Sequence, residues 1–116
     1  MTQERPLAFD TLGFIRRCVI QKKIFWTYHV NMRMRGRYIP REIILLSCSK
    51  YEVIEEYPTD KYFPSYLVYT EYKGEHIHIL FAIDVDGDNV RIITAYRPSP
   101  LEWEANFKTR RRSHEV

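Results

Sequence analysis

A histidine and three arginines are concentrated in one short segment of the chain. His29 is followed by Arg33, Arg35 and Arg37, four, six and eight residues later. On a helix, His29 and Arg33 would lie one turn apart on the same face. An imidazole can give or take a proton near neutral pH, and a guanidinium group can bind a phosphate through two hydrogen bonds. The segment is therefore a candidate for phosphodiester chemistry, although an ordinary surface helix can show the same pattern.

Basic residues are unevenly distributed, although the net charge of the 116-residue chain is only +3. Residues 1–50 carry ten Lys and Arg against three Asp and Glu, residues 51–107 carry four against eleven, and residues 108–116 carry four against one. A basic surface built from the two ends of the chain favours RNA as a partner, and two solvated faces of different charge are the alternative. The expected RNA-binding residues are Arg35, Arg97, Lys108, Arg110, Arg111 and Arg112.

Length and composition indicate one domain. Hydrophobic residues make up 45% of the chain, which is enough for a core and too many for disorder. We expect a single domain over residues 1–107 and a basic, flexible tail over residues 108–116. The N-terminus lacks the apolar segment of a signal peptide, no apolar stretch is long enough to span a membrane, and Cys18 and Cys48 are expected to be buried free thiols. These features predict a cytoplasmic protein without a membrane partner.

Capping residues and apolar spacing predict three helices in the first half of the chain. The segment Ile24-Phe25-Trp26, between the first two, is interpreted as a short apolar link into the core. The expected boundaries are Asp10 as the cap of the first helix, Thr27 as the cap and Gly36 as the C′ residue of the second (about residues 28–35), and Arg41 to about Ser49, after Pro40, for the third.

Residues rich in β-branched and aromatic side chains predict four strands in the second half. Their expected ranges are Tyr51–Tyr57, Ser65–Tyr72, Glu75–Asp84 and Asn89–Tyr96. Two-residue turns at Lys73-Gly74 and Asp86-Gly87 would join the last three strands as antiparallel hairpins. The predicted fold class is therefore α+β, with about three helices packed on one face of a four-stranded antiparallel sheet.

The hairpin turns also predict which side chains share a face of the sheet. In this register Tyr69 lies opposite His78, on the face turned away from the helices. Thr94 and Tyr96 fall on the face turned toward the helices. A loop one residue longer at 86–88 would exchange the two faces of the last strand, so the placement of Thr94 and Tyr96 stays open.

Two patterns are typical of metal sites but are incomplete. His76 and His78 could be two ligands, but no third ligand follows at a suitable spacing. Asp84, Asp86 and Asp88 lack the glycine position and the downstream glutamate of a calcium loop. For His76 the preferred interpretation is a polar residue on a partly solvated strand, and for the three aspartates it is a turn. Neither a metal nor a cofactor is predicted.

Several short motifs follow one another along the chain. They are His29-x-x-x-Arg33-x-x-x-Arg37-x-Ile39, Val53-Ile54-Glu55-Glu56-Tyr57-Pro58, Ser65-Tyr66-Leu67, Ile77-His78-Ile79, and Ile92-Ile93-Thr94-Ala95-Tyr96-Arg97-Pro98 with Trp103. Together they resemble a family of small bacterial proteins of unknown function that looks related to RelE/ParE- and BrnT-like toxins. The resemblance covers about residues 12–107. Two positions depart from the family pattern, because Pro40 stands where a Ser or Thr cap is usual and Tyr38 where Gly is common.

The resemblance implies a RelE-like fold and a metal-independent ribonuclease, the toxin of a type II toxin–antitoxin pair. Its partner would be a cognate antitoxin, often a small zinc-finger protein, and a homodimer is compatible with it. In such an enzyme a ribose 2′-OH attacks the adjacent phosphate, so an acid, a base and phosphate-binding cations are needed. The matching residues are His29 and His78 for proton transfer, Arg33, Arg37 and Arg97 for the phosphate, and Thr94 and Tyr96 to position it.

Three hypotheses follow for the function. The first is the toxin ribonuclease, in which His29, Arg33 and His78 converge on one partly exposed cleft between the second helix and the sheet. The second is a non-catalytic module that binds RNA or a protein through the same basic surface. The third is an interaction domain whose histidines and arginines are structural.

Overall fold

Three helices precede most of a five-stranded sheet in the computed structural model, which describes residues 6–112. The predicted α+β class is confirmed. The helices are α1 (Thr11–Ile20), α2 (Tyr28–Gly36) and α3 (Arg41–Leu46), with a 3-10 turn at Cys48–Lys50. The strands are β1 (Ile24–Trp26), β2 (Glu52–Tyr57), β3 (Ser65–Tyr72), β4 (Glu75–Asp84) and β5 (Asn89–Tyr96).

Both predicted side-chain caps are confirmed. The Asp10 carboxylate accepts a hydrogen bond from the backbone N–H of Gly13 at 3.0 Å, and the Thr27 hydroxyl accepts one from the N–H of Val30 at 3.1 Å. Each bond satisfies a backbone donor that the first turn of a helix leaves without a partner. The cap at Thr27 also determines where α2 begins, and hence where His29 lies.

The C-terminus of α2 differs from the sequence prediction. Gly36 is the last helical residue, and the residue in the left-handed conformation is Tyr38, with φ of 57°. The N–H of Tyr38 donates to the carbonyl of Arg35 at 3.1 Å, and the N–H of Ile39 donates to the carbonyl of Met34 at 2.8 Å. This is a Schellman motif. Burial of Met34 and Ile39, each 2% exposed, sets the end of the helix in place of the glycine.

The sheet contains a fifth strand that the sequence analysis does not predict. Its order is β1-β5-β4-β3-β2, and β1 pairs with β5 in parallel, with Trp26 opposite Ile92. The expectation of four antiparallel strands is therefore wrong, and the sheet is mixed. The link Ile24–Trp26 is itself the strand, and three residues are too few to show an alternating pattern.

The β3–β4 hairpin has the predicted turn and register. Lys73 and Gly74 both have positive φ angles, 50° and 82°, as a two-residue type I′ turn requires. Tyr69 lies opposite His78, as predicted.

The β4–β5 hairpin departs from the prediction partway along its length. Phe81 lies opposite Ile92 as expected, but Leu80 lies opposite Thr94, so Ile93 is the extra residue of a β-bulge. The bulge reverses the alternation of side chains beyond it. The placement of Thr94 and Tyr96 on the helix-facing side is therefore wrong, and both lie on the outer face with His78.

The core lies between the helices and one face of the sheet. The fully buried residues there include Ile15 of α1, Ile44 of α3 and Phe81 of β4. Cys18 and Cys48 are both buried and free, which confirms the prediction for the two thiols. Burial raises the pKa of each thiol, so neither is suited to nucleophilic chemistry.

A C-terminal strap, residues 98–112, covers one end of the outer face of the sheet. Trp103 in the strap is 1% exposed and forms a β-bridge with Arg110. The first five residues of the predicted tail, 108–112, belong to this strap. Residues 113–116 lie outside the described residues.

Two features are missing from residues 6–112. Within that range no three His, Cys, Asp or Glu side chains are grouped so that they could hold a metal ion. None of the helices in the same range has the length and apolar composition needed to cross a membrane.

Candidate functional site

The outer face of the sheet has two adjoining clefts. The larger, here called the His29 cleft, has a volume of about 600 Å³ and lies between the start of α2, the β2–β3 loop and strands β4 and β5. The smaller, the Tyr96 cleft, has a volume of about 290 Å³ and is bounded by Arg110 of the strap. Asp60 lines both clefts, so a single extended ligand could occupy them together.

His29 provides the imidazole of the larger cleft. It is the second residue of α2, and it is exposed where the cleft opens. The Thr27 cap and the burial of Val30, which is 3% exposed, hold the first turn in place on either side of it. An exposed imidazole on a fixed backbone is suited to proton transfer with a bound ligand.

Arg91 of β5 lines the same cleft. Its guanidinium carbon lies 4.8 Å from the centre of the Phe63 ring and 5.7 Å from that of Phe25. Contacts with two aromatic rings fix a positive charge in the cleft wall. No motif of the sequence points to a role for Arg91, because only the parallel pairing of β1 with β5 brings Phe25 opposite it.

The β2–β3 loop supplies the other polar groups of the His29 cleft. Asp60 accepts a hydrogen bond from the Ser65 hydroxyl, which orients the carboxylate. The ammonium nitrogen of Lys61 lies 5.5 Å from the centre of the Tyr62 ring, and Tyr62 is 70% exposed. A cation beside an exposed aromatic ring is suited to the phosphate and base of a nucleotide. The sequence marks this segment only as a proline-bounded loop.

The arginines that follow His29 lie along β5. Arg37 donates hydrogen bonds to the Thr94 hydroxyl at 3.2 Å and to the Ala95 carbonyl at 2.8 Å. Because the His29 cleft also includes β5, α2 runs alongside that strand. Arg33 lies between His29 and Arg37 in sequence and is exposed. Arg37 and Thr94 therefore hold the helix on the sheet, and Arg33 is accessible to solvent.

Arg97 fixes the backbone at the end of α2. It forms an ion pair with Glu75 at 2.7 Å and donates hydrogen bonds to the carbonyls of Arg37 and Tyr38. Its guanidinium is thus engaged with protein groups on two sides. Arg35 is exposed and lines a further cleft at this end of the helix.

Three side chains form a polar cluster at the Tyr96 cleft. Arg110 donates two hydrogen bonds to the Glu55 carboxylate, at 2.6 and 3.2 Å, and the Tyr57 hydroxyl donates to the same carboxylate. Burial disfavours the charged form of Glu55, but the bonds from Arg110 and Tyr57 outweigh burial and hold its pKa below the usual range. The hydrogen bond to Glu55 raises the pKa of Arg110 above its ordinary value. The cluster is therefore charged but internally neutralised at neutral pH.

His78 is fully buried under the strap. Its Nε2 lies 2.7 Å from the Phe107 carbonyl oxygen and its Nδ1 lies 3.3 Å from the Tyr96 hydroxyl oxygen. The Trp103 ring packs edge-on against the imidazole, with 4.4 Å between the two ring centres. Because a carbonyl only accepts, Nε2 carries the proton, and in the neutral ring Nδ1 accepts from Tyr96. Burial lowers the pKa of His78, which favours this neutral form. His78 is thus placed to orient Tyr96.

The remaining basic residues of the strap are mostly engaged with the protein. Lys108 pairs with Glu52 at 2.7 Å, and Arg111 donates to the Pro100 carbonyl at 2.7 Å. Arg112 is exposed. Lys108 and Arg110 are therefore paired with carboxylates of β2, and Arg111 is bonded within the strap.

The sequence-predicted site residues fall into two groups. His29, Arg37, Thr94 and Tyr96 lie along the outer face or beside it. His78 lies beneath that group, covered by Trp103, so the two imidazoles expected in one cleft have different environments.

Comparison with known proteins identifies a family for most of the chain. Residues 26–97 match the model of a protein family described as a domain of unknown function, DUF4258. No curated protein and no solved structure matches the chain. The matched segment includes α2, all of the sheet except the first two residues of β1, and both histidines discussed above, but neither α1 nor the strap.

Proposed function

The chain belongs to the DUF4258 family of domains of unknown function, and we propose from the residues of the chain itself that it binds single-stranded RNA along the outer face of the sheet and cleaves it without a metal ion. The reaction would take place in the His29 cleft. The substrate phosphate would be bound by Arg91 and Lys61, with Arg33 adding to the positive field.

One observation carries this proposal: an exposed histidine and a ring-fixed arginine line the same cleft. A carboxylate, Asp60, and an exposed ring, Tyr62, complete it. The combination provides two groups for proton transfer, cations for a phosphate and a surface for a base. The Thr27 cap holds the turn that carries His29, the Phe63 ring contacts Arg91, and the Ser65 hydroxyl donates to Asp60.

In the proposed reaction the ribose 2′-oxygen attacks phosphorus while the bond from phosphorus to the 5′-oxygen breaks. Asp60 accepts the 2′-OH proton, and His29 gives a proton to the departing 5′-oxygen. The products are a 2′,3′-cyclic phosphate and a 5′-hydroxyl end, so atoms and charge balance without an added reactant. Arg91 and Lys61 stabilise the negative charge that develops on the phosphate oxygens. In this scheme Asp60 takes the role that the resemblance gives to His78.

The burial of His78 favours a second candidate, a non-catalytic RNA-binding module. A neutral imidazole that is 0% exposed cannot exchange protons with a bound strand, so of the two histidines expected to transfer protons only His29 is accessible. In this reading the same clefts bind RNA and leave it intact.

The cellular role in the proposal is that of a RelE-like toxin in the cytoplasm, held inactive by a cognate antitoxin of the small zinc-finger type. This part rests on the resemblance of the sequence motifs. Inducible expression with growth and RNA integrity followed together would test it. Growth arrest without RNA loss would contradict it.

The decisive experiment is the His29→Ala variant in a cleavage assay with a fluorescent single-stranded RNA in EDTA. We expect the rate to fall roughly 10²–10⁴-fold, as for a lost acid–base group. Because His29 is exposed, the melting temperature should be unchanged. Tyr28→Ala is the matched control, since Tyr28 is the neighbouring α2 residue and is 80% exposed.

The outcomes separate the candidates. Cleavage by the parent protein that His29→Ala abolishes supports the enzyme. Salt-sensitive RNA binding without cleavage supports the non-catalytic module. If the parent protein retains no RNA at low salt, both candidates fail.

A further inference from the structure

A third cleft lies at the C-terminal end of α2, outside the two clefts described above. Its volume is about 440 Å³, and it runs between the end of α2 and the start of α3. Arg35, Tyr38 and Arg41 line it, and none of its lining residues is acidic. The surface is therefore positively charged and partly aromatic.

Tyr38 occupies a backbone position that favours glycine. It is the C′ residue of the Schellman motif, with φ of 57°, where a β-carbon is sterically unfavourable. The surrounding structure holds the strained conformation, because Arg97 donates to the carbonyls of both Arg37 and Tyr38. Strained residues held in this way are often found at functional sites.

The Tyr38 side chain contributes little to the core. It is 84% exposed, whereas Met34 and Ile39, on either side of it in the motif, are 2% exposed. Packing therefore does not explain why a large ring occupies this glycine-favouring position. A ligand that covers the ring would explain it.

Arg41 is held in one orientation at the opposite side of this cleft. Its guanidinium carbon lies 4.7 Å from the centre of the Trp26 ring, and its Nε and Nη2 donate to the Asn31 side-chain oxygen at 3.1 and 2.9 Å. A guanidinium fixed by a ring and an amide loses little freedom when it binds an anion. Arg35, also exposed in this cleft, adds a second cation.

We propose that this cleft, the Tyr38 cleft, binds a second nucleotide of the same single-stranded RNA, with the base stacked on Tyr38 and the phosphate bound by Arg35 and Arg41. The inference rests on the proposed function, since it extends the RNA path from the His29 cleft. From His29 to Gly36, the last residue of α2, the helix rises about 10 Å at about 1.5 Å per residue, and Arg35 lies about 120° around the helix axis from His29. A strand of several nucleotides is therefore long enough to contact both clefts. A dinucleotide bound in the His29 cleft gains less affinity from the Tyr38 cleft than such a strand does.

The test compares Tyr38→Gly with the parent protein, using fluorescence anisotropy with a labelled single-stranded RNA of about 12 nucleotides and with a dinucleotide. We expect the affinity for the longer RNA to fall by roughly 5- to 150-fold, the range for loss of one stacked base, and the affinity for the dinucleotide to be unchanged. The melting temperature should rise, because glycine relieves the left-handed strain. Tyr38→Phe should retain the parent affinity.

Two controls separate stacking from strain and from general exposure. Lys22→Gly relieves the same strain, because Lys22 has φ of 61° at the end of α1, but it removes no ring. Tyr28→Ala removes another exposed ring of α2 outside the cleft. Arg35→Gln should reduce the salt dependence of binding by about one phosphate contact.

Failure of this inference is distinguishable from failure of the proposed function. If the parent protein binds RNA and Tyr38→Gly binds each of the two RNAs as tightly as the parent does, the Tyr38 cleft is not a binding site, and the proposal for the His29 cleft is unaffected. If the parent protein binds neither RNA, the proposed function fails and the second nucleotide site fails with it. If Tyr28→Ala weakens binding as much as Tyr38→Gly, the stacking role of Tyr38 is overturned.

Discussion

At the scale of single residues, two histidines of one chain have different chemical surroundings. His29 is exposed in a cleft with Arg91, whereas His78 has both ring nitrogens engaged and is 0% exposed. The motif around each residue gives no sign of this difference. It comes from Trp103 and Phe107, which cover His78 from 25 to 29 positions further along the chain.

The buried state of His78 predicts a pH dependence of stability. Its pKa in the folded protein lies below the 6.5 of an unperturbed histidine, because burial disfavours the charged ring. Between these two values the unfolded chain binds a proton that the folded chain does not, so protonation favours unfolding. We expect the free energy of unfolding to fall as pH is lowered below about 6.5 and the fall to stop at the folded pKa, as measured by urea denaturation at a series of pH values.

Variants at the two neighbouring histidines of β4 provide the control. His78→Gln should be less stable than the parent at pH above 7 but should lack the loss of stability as the pH is lowered below about 6.5. His76→Gln leaves His78 in place and should retain the pH dependence of the free energy of unfolding. Asp88, whose pKa the bonds from Arg17 and Lys23 lower to about 2, loses its stabilising charge only at lower pH. A parent protein with constant stability over this range would contradict the prediction.

At the scale of elements, the two glycines Gly36 and Gly74 should respond oppositely to alanine. A β-carbon at Gly36 would meet nothing within 4 Å, and the residue is helical, so Gly36→Ala should stabilise the protein by about 0.5–1 kcal/mol. Gly74 has φ of 82° in the β3–β4 turn, so Gly74→Ala should destabilise it. Denaturant midpoints measure both changes. Equal signs for the two variants would show that the backbone assignments are wrong.

Elements with long patterns are predictable from this sequence, and local irregularities are not. The β3–β4 hairpin follows from its alternation and from Lys73-Gly74, because that turn type requires residues tolerant of positive φ. The bulge at Ile93 leaves no mark in composition, yet it moves Thr94 and Tyr96 to the other face. Similarly, Tyr38 ends α2 because its neighbours are buried, a tertiary effect that Gly36 obscures.

At the scale of the whole molecule, the strap is integral to the fold although it lies outside the family match. The family model ends at residue 97, and the strap begins at 98. Its segment has no helical or alternating pattern, so the sequence does not show that it lies on the sheet. The sequence does single out Trp103, but the partner that Trp103 covers, His78, is visible only in the fold.

Loss of the Trp103 side chain should therefore destabilise the protein strongly. Trp103 is 1% exposed, so Trp103→Ala leaves a large cavity above His78 and should cost roughly 3–5 kcal/mol of unfolding free energy. Leu101→Ala is the control in the same strap, because Leu101 is 87% exposed and should change little. Urea denaturation measures both. Equal stability of the Trp103 variant and the parent would show that the strap is not docked.

The parallel pairing of β1 with β5 has a consequence for synthesis of the chain. Ile24 pairs with Val90, so the two strands are more than sixty residues apart in sequence. A ribosome must therefore release β5 before β1 has a partner, and non-local pairings of this kind form late. Arg91 comes opposite Phe25 only at that stage, and the His29 cleft is completed with it. A nascent chain thus has no assembled His29 cleft until β5 has left the ribosome and paired with β1.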